Sequence, residues 1–154
     1  MSDNIDPEKA ALLLADCVSS VFADMAFIDV RQSETAAAVE DERCVAIDIL
    51  APVSCRIELR ISRALRDKIV ENLFGEAPDS VQKKNGEDSI LEMLNIITGA
   101  FLSAYFGAGT EIQLELPQYL YFEEQSPGSV VSKVFMNAEG ESLNITLSSV
   151  RYRY

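Results

Sequence analysis

Apolar residues along this chain recur at helical spacing in some stretches and at every second position in others. Leu12, Leu13, Leu14, Val18, Val21, Phe22 and Met25 predict a first helix that opens at Asp6-Pro7-Glu8 and runs to about Met25. Asp6 suits the N-cap, Pro7 the first helical position, where its missing N–H costs nothing, and Glu8 the positive end of the helix dipole. Its apolar residues cover more than one face, so packing on two sides is expected. From Ala26 to Arg31 the period changes to two, with Ile28 and Val30 opposite Asp29 and Arg31. Ser33 to Arg43 is a polar excursion.

Two strands follow. Val45, Ile47 and Ile49, then Ile57, Leu59 and Ile61, alternate with polar or small residues, and Ala51-Pro52 marks the turn between them. This is a half-buried antiparallel hairpin. Ser62 caps a helix predicted over Arg63 to Phe74, which Gly75 stops. Glu76 to Asp88 is a solvent-exposed connector that includes Lys83-Lys84. The central helix then spans Asp88 to Phe106, and Gly107 and Gly109 end it. Thr110 to Leu116 alternates as a strand closed by Pro117. Tyr119 to Gly128 is a loop whose Tyr119, Tyr121 and Phe122 default to packing. Val130 to Asn137 and Leu143 to Val150 form a hairpin across Ala138-Glu139-Gly140, and Arg151 to Tyr154 finishes the last strand.

The order is helix, strand, hairpin, short helix, then helix, strand, hairpin. The second half therefore repeats the first, with VFADMAF (Val21 to Phe27) answering AFLSAYF (Ala100 to Phe106). This predicts an α+β fold of pseudo-duplicated helix-strand-hairpin units. Its sheet is mainly antiparallel, and the two long helices pack together on one face.

The central helix is unusual on its outer side. At about 100° per residue, Ile90, Met93, Leu94, Ile97, Phe101 and Ala104 share a core face. Within roughly 60° of Glu92 on the opposite side lie Asp88, Asn95, Ile96, Gly99, Ser103 and Phe106. A face meant only for water carries Lys, Glu and Arg; this one is small and sparsely charged, which suits close approach by another body.

Composition narrows the chemistry. The 154 residues are 48% apolar, enough for a single domain over 1–154 with a real core. No histidine is present, which removes Ser-His and Cys-His nucleophiles and the commonest metal ligand. Cys17, Cys44 and Cys55 are far apart and odd in number, so neither a disulfide framework nor a zinc site is expected, and buried thiols are. Asp29, Asp41 and Asp48 lack metal-ligand spacing. A net charge of −12 disfavours nucleic acid and anionic membranes. Asp16 interrupts the richest apolar run, Ala10 to Val18, so no run approaches the roughly 20 residues of a membrane helix. The acidic start MSDNIDPEKA is unlike a signal peptide, and a cytoplasmic protein is expected.

Glu92 and Asn95, three apart on a helix, are neighbours on one face. A carboxamide can hold a water by donating and accepting hydrogen bonds, and a carboxylate can pair with a partner's cation. Neither use needs a cofactor. The structural alternative is that Ser89-Ile90-Leu91-Glu92 is a capping box, with Glu92 returning to the Ser89 N–H. Asn95 and Gly99 are both poor helix formers on one face. Gly99 suits either helix-on-helix packing or docking.

At these residues the chain resembles the CheC/CheX family of chemotaxis phosphatases, and its CheX-like single-motif branch most closely. The family pattern D/S-x-x-x-E-x-x-N with a later Pro is answered by Asp88, Glu92, Asn95 and Pro117. Asn95 and Pro117 are separated by 21 residues, one fewer than in the pattern. LNIITGAFLSAYFG and SCRIELRISRALRDKIVENLFG also read like family segments. Helix one has Leu13 and Asp16 where a second pair would lie, so the two-motif pattern of CheC is absent. The resemblance implies hydrolysis of the aspartyl phosphate on a CheY-like receiver domain, with Asn95 positioning water and Glu92 contacting the receiver's lysine. Asp88, Gly99, Ser103 and Pro117 would serve docking. It also implies a Mg²⁺ that belongs to the receiver, no cofactor or metal in this chain, and a homodimer. The competing function is a non-catalytic receiver-binding or assembly module, related to the flagellar switch proteins that share the fold.

Overall fold

A computed structural model describes residues 5–121 and 128–150. Helix α1 spans Pro7–Ala26, and the Asp6 carboxylate accepts from the N–H groups of Glu8 and Lys9 as its cap. Its exit turns through Phe27, whose φ of 56° is left-handed. The strand expected from Ala26 forms later, as β1 (Val30–Gln32), because α1 keeps its last turn. Hairpin β2 (Arg43–Ala51) and β3 (Cys55–Ile61) pairs Ile47 with Ile57. Helix α2 covers Arg63–Phe74: the Ser62 hydroxyl accepts from Leu65 N–H, and Gly75, at φ 67°, ends it. After a 3-10 turn at Pro78–Ser80 comes α3 (Lys83–Phe106), then β4 (Gln113–Leu114), β5 (Gln118–Leu120), β6 (Ser129–Ala138) and β7 (Glu141–Ser149).

The sheet is seven-stranded, ordered β1-β6-β7-β3-β2-β4, with β5 also on β2, and every pairing is antiparallel. This order is symmetric about the β7·β3 junction. Each repeat's lone strand pairs with the other repeat's hairpin, β1 with β6 and β4 with β2, so the two units are interlocked. Rows of side chains run across the strands: Val45, Leu59, Ile145 and Val134 lie in register on one face. They join one core with Leu14, Val18 and Phe22 of α1 and Ile90, Leu94, Ile97 and Phe101 of α3. Both long helices therefore cover the same face, as the duplicated pattern predicts. The other face carries the row Ala46, Glu58, Thr146 and Lys133.

Several boundaries differ from expectation. The segment Lys83 to Glu87, read as connector, is the first part of α3, so the helix begins five residues before Asp88. Gly86 is buried there, and a Cβ on it would come within 3.1 Å of Val70 and Arg66, so α2 and α3 approach closely at this point. Ala104 is exposed rather than core, because the inward positions in the last turns of α3 are Phe101, Leu102 and Tyr105. Phe106, placed on the outer face by angle, is half-buried against the core, its ring 4.7 Å from that of Tyr105. The strand expected over Thr110 to Leu116 shrinks to Gln113–Leu114, and Leu116 is 88% exposed. The first residues of the loop expected from Tyr119 belong instead to β5. Phe122 and Arg151 to Tyr154 lie outside the described residues.

Leu12 on α1 is 64% exposed, so the helix's two-sided packing stops short of it. Contrary to the run-length count, α3 is long and apolar enough to cross a membrane by length and composition. Its apolar side chains are committed to the core, however, with Ile90, Met93, Leu94, Ile97 and Phe101 at most 1% exposed. Cys44 and Cys55 are buried free thiols and Cys17 is half-buried.

Candidate functional site

The outer face of α3 exists because its inner face is fully used. Ile90 before Glu92 and Met93 and Leu94 after it are buried, which turns Glu92 outward and leaves it exposed. Asp88, one turn earlier, is exposed, and Asn95, Gly99 and Ser103 are half-buried. Ile96 is the one large apolar side chain exposed on this face, at 39%.

The capping-box alternative does not hold. Ser89 sits in the second turn of α3, and its hydroxyl donates to the Asn85 carbonyl at 2.9 Å. The N-cap is Gln82, without a side-chain cap bond. Among the described residues neither Glu92 nor Asn95 has a hydrogen-bond or ion-pair partner, so both groups are available to an incoming molecule. Helix-on-helix packing does not explain Gly99 either, since a Cβ there would meet nothing within 4 Å.

Pro117 is half-buried in the short link between β4 and β5, both of which pair with β2. Two residues on, the Tyr119 hydroxyl donates to the Glu87 carbonyl at 3.1 Å. That bond ties the strand after Pro117 to the turn of α3 that carries Asp88. Burial, and then the Glu87 carboxylate, push the Tyr119 hydroxyl well above its usual ionisation range, so it remains a donor. The link joins residues 32 apart in sequence, and no local spacing announces it. The pseudo-symmetric positions on α1 differ in kind: Asp16 is exposed, but Leu13 is partly buried against the core. The face therefore offers the Glu92 carboxylate and the Asn95 carboxamide, unpaired among the described residues, beside a glycine gap and with the exposed Asp88 one turn away. It can orient a water and attract a cation.

The family model described as "Chemotaxis phosphatase CheX" matches residues 43–127, more than half of the chain. This chain belongs to the CheX family. Comparison with curated proteins finds no match. Among solved structures, the chemotaxis protein CheX from Desulfovibrio desulfuricans is similar with a TM-score of 0.72 at 14% identity, over 90% of this chain and 97% of that one. The CheX-CheY-BeF3-Mg²⁺ complex from Borrelia burgdorferi matches with a TM-score of 0.67 at 16% identity, over 96% and 100%. FliY from Thermotoga maritima shares the fold at a TM-score of 0.63 and 14% identity, over 93% and 89%. At these identities the likeness is one of fold. The α+β architecture with two helices on one antiparallel face is thus that of the CheX relatives.

Proposed function

We propose that this CheX-family chain hydrolyses the aspartyl phosphate of a CheY-like receiver domain, using Asn95 and Glu92. The observation that carries the proposal is their placement: three residues apart on the solvent side of α3, both without partners among the described residues, beside Gly99 with open space over it. Family membership supplies the reaction class, and the relative solved with CheY and Mg²⁺ supplies the kind of partner.

In this mechanism α3 lies across the receiver's phosphorylated site. The Asn95 carboxamide accepts a hydrogen bond from a water and donates another to hold it. The water oxygen attacks phosphorus in line as the bond to the aspartyl oxygen breaks, the receiver aspartate leaves as its free carboxylate, and the water's protons stay with the inorganic phosphate that departs. Glu92 contributes position, pairing with a receiver cation to fix the helix against the site. Asp88, Ser103 and Pro117 border the contact, and Gly99 lets the backbone come close. The Mg²⁺ is the receiver's, and a homodimer in the cytoplasm completes the proposal.

The test is dephosphorylation of a panel of cognate phosphorylated receivers in the presence of Mg²⁺. The wild-type chain should accelerate phosphate loss over the receiver alone, and Asn95→Ala should lose about 10²-fold of that acceleration while still binding. No acceleration for any receiver, or full activity in Asn95→Ala, would overturn it. Receiver binding with an unchanged phosphate lifetime would establish the non-catalytic module instead.

A further inference from the structure

A second site lies at the other end of α3. A cavity of about 850 Å³ opens between β2, the first turns of α2 and α3, the Pro78–Ser80 turn and β5. That volume is in the range of small-ligand pockets. Its walls include Arg43, Arg63, Arg66 and Lys83, four of the 13 cationic side chains of a chain with 25 carboxylates. In a protein of net charge −12 this is a local reversal of sign, and at physiological salt a ligand responds to charges within about 8 Å rather than to the net charge.

The cavity's carboxylates are Glu42, Asp79 and Glu87. Glu42 is held by Arg60 at 3.1 Å, and Glu87 faces Lys83 at 3.8 Å. Asp79 has no cationic partner among the described residues and Lys83 is shared with Glu87, but two of the cavity's arginines pair with no carboxylate. Arg43 donates only to the neutral carbonyls of Asp41 and Glu42, and the exposed Arg63 guanidinium has no partner among the described residues. Arg66 pairs with Asp67 at 2.9 Å and sits one turn after Arg63. Guanidinium groups match phosphate oxygens by paired N–H donation. Arg63 and Lys83 are also the first residues of their helices, where the dipole adds to the positive potential.

The same cavity is lined by two tyrosines, two residues apart at and just beyond β5 and so on one side of it. Tyr119 is fixed by its bond to Glu87, whereas Tyr121 is 75% exposed and packs nothing away, against the expectation of a packed loop. A planar aromatic beside converging guanidinium groups matches a ligand with an aromatic base and phosphates. We propose that this cavity binds a nucleoside phosphate, with Arg43, Arg63 and Lys83 on the phosphates and Tyr121 stacked on the base. The site stands apart from Asn95, and the proposal does not depend on the phosphatase mechanism.

Calorimetric titration of the full chain tests it without any receiver. The probes are adenosine and guanosine di- and triphosphates, the uncharged nucleosides and pyrophosphate. At least one nucleotide should bind saturably with one site per chain. Arg63→Ala should weaken it about tenfold, the loss of one charge-assisted contact. Tyr121→Ala should weaken the nucleotide severalfold and leave pyrophosphate unchanged. Both side chains are exposed, so both variants should fold. Absence of saturable binding, binding that ignores Arg63→Ala and Tyr121→Ala, or pyrophosphate binding as tightly as any nucleotide would each overturn the assignment.

Discussion

The hydroxyl of Ser89 donates to the carbonyl of Asn85, four residues earlier on α3, at 2.9 Å. A serine bonded backward in this way is inside a helix, not at its start. Glu92 is thereby released from any capping duty.

The consequence is measurable in Glu92→Gln. Glu92 is exposed and unpartnered among the described residues, so the substitution should leave the unfolding free energy within about 0.5 kcal/mol of wild type, the usual range for such surface changes. Receiver dephosphorylation should fall, because the amide carries no charge to pair with a cation. A loss of about 1 kcal/mol or more in urea unfolding, of the size expected for a lost cap, would restore a structural role to Glu92.

Gly99 separates stability from activity in the opposite direction. A Cβ at this position meets nothing within 4 Å, and the helix carries an entropic cost for the glycine. Gly99→Ala should therefore stabilise the chain by about 0.5–1 kcal/mol in chemical denaturation. It should also raise the receiver concentration needed for half-maximal dephosphorylation, since the added methyl fills the gap on the docking face. Unchanged activity in a stabilised variant would remove Gly99 from the contact.

Much of this architecture was legible because it is written in local periods. Asp6, Ser62 and Gly75 mark helix ends that the structure reproduces, and the alternation of Val45 to Ile61 gives the hairpin its register. The start of α3 was hidden for a physical reason. Lys83 to Glu87 is polar and contains Asn85-Gly86, a turn signal, yet Gly86 is buried in α3 close against Val70 and Arg66 of α2. Tertiary contact overrode local propensity. The pair Glu92 and Asn95 was visible from helical angle alone, whereas the cavity of Arg43, Arg63 and Tyr121 is assembled from elements far apart in sequence and has no linear signature.

The second face of the sheet holds a buried charge whose support can be tested. The Glu58 side chain is 2% exposed, with one oxygen 3.1 Å from Arg60 and the other 3.9 Å from Arg56. Arg60→Ala should destabilise by about 2 kcal/mol, below the 3–5 of a fully buried pair because Arg60 itself keeps some solvent contact and Arg56 remains nearby. Adding Glu58→Gln to Arg60→Ala should recover part of the loss, since a neutral amide no longer needs the cation. Additive losses in the double variant, read from urea midpoints, would show that the two side chains are uncoupled.

Alkaline pH should unfold the chain through its thiols. Burial pushes Cys55 from 9.0 up to about 12, with a further rise from the Asp48 carboxylate. Burial also lifts Cys44 to about 11, although the Arg60 guanidinium pulls the other way. In each case the folded state holds its proton more tightly than the unfolded chain. The stability linked to this is complete below about pH 9 and is lost as pH rises from there through 11 and 12. By about pH 10.5 the loss should reach about 1–2 kcal/mol per thiol. Denaturant titrations at a series of pH values should show the decline, and Cys55→Ala should flatten it above pH 9 while costing some stability below. At pH 8 a thiol reagent should modify the half-buried Cys17 first and leave the other two until the chain opens. An alkaline profile identical in Cys55→Ala and wild type would assign the transition to other groups, with the Tyr119 hydroxyl, whose ionisation burial also pushes up, the next to test by Tyr119→Phe.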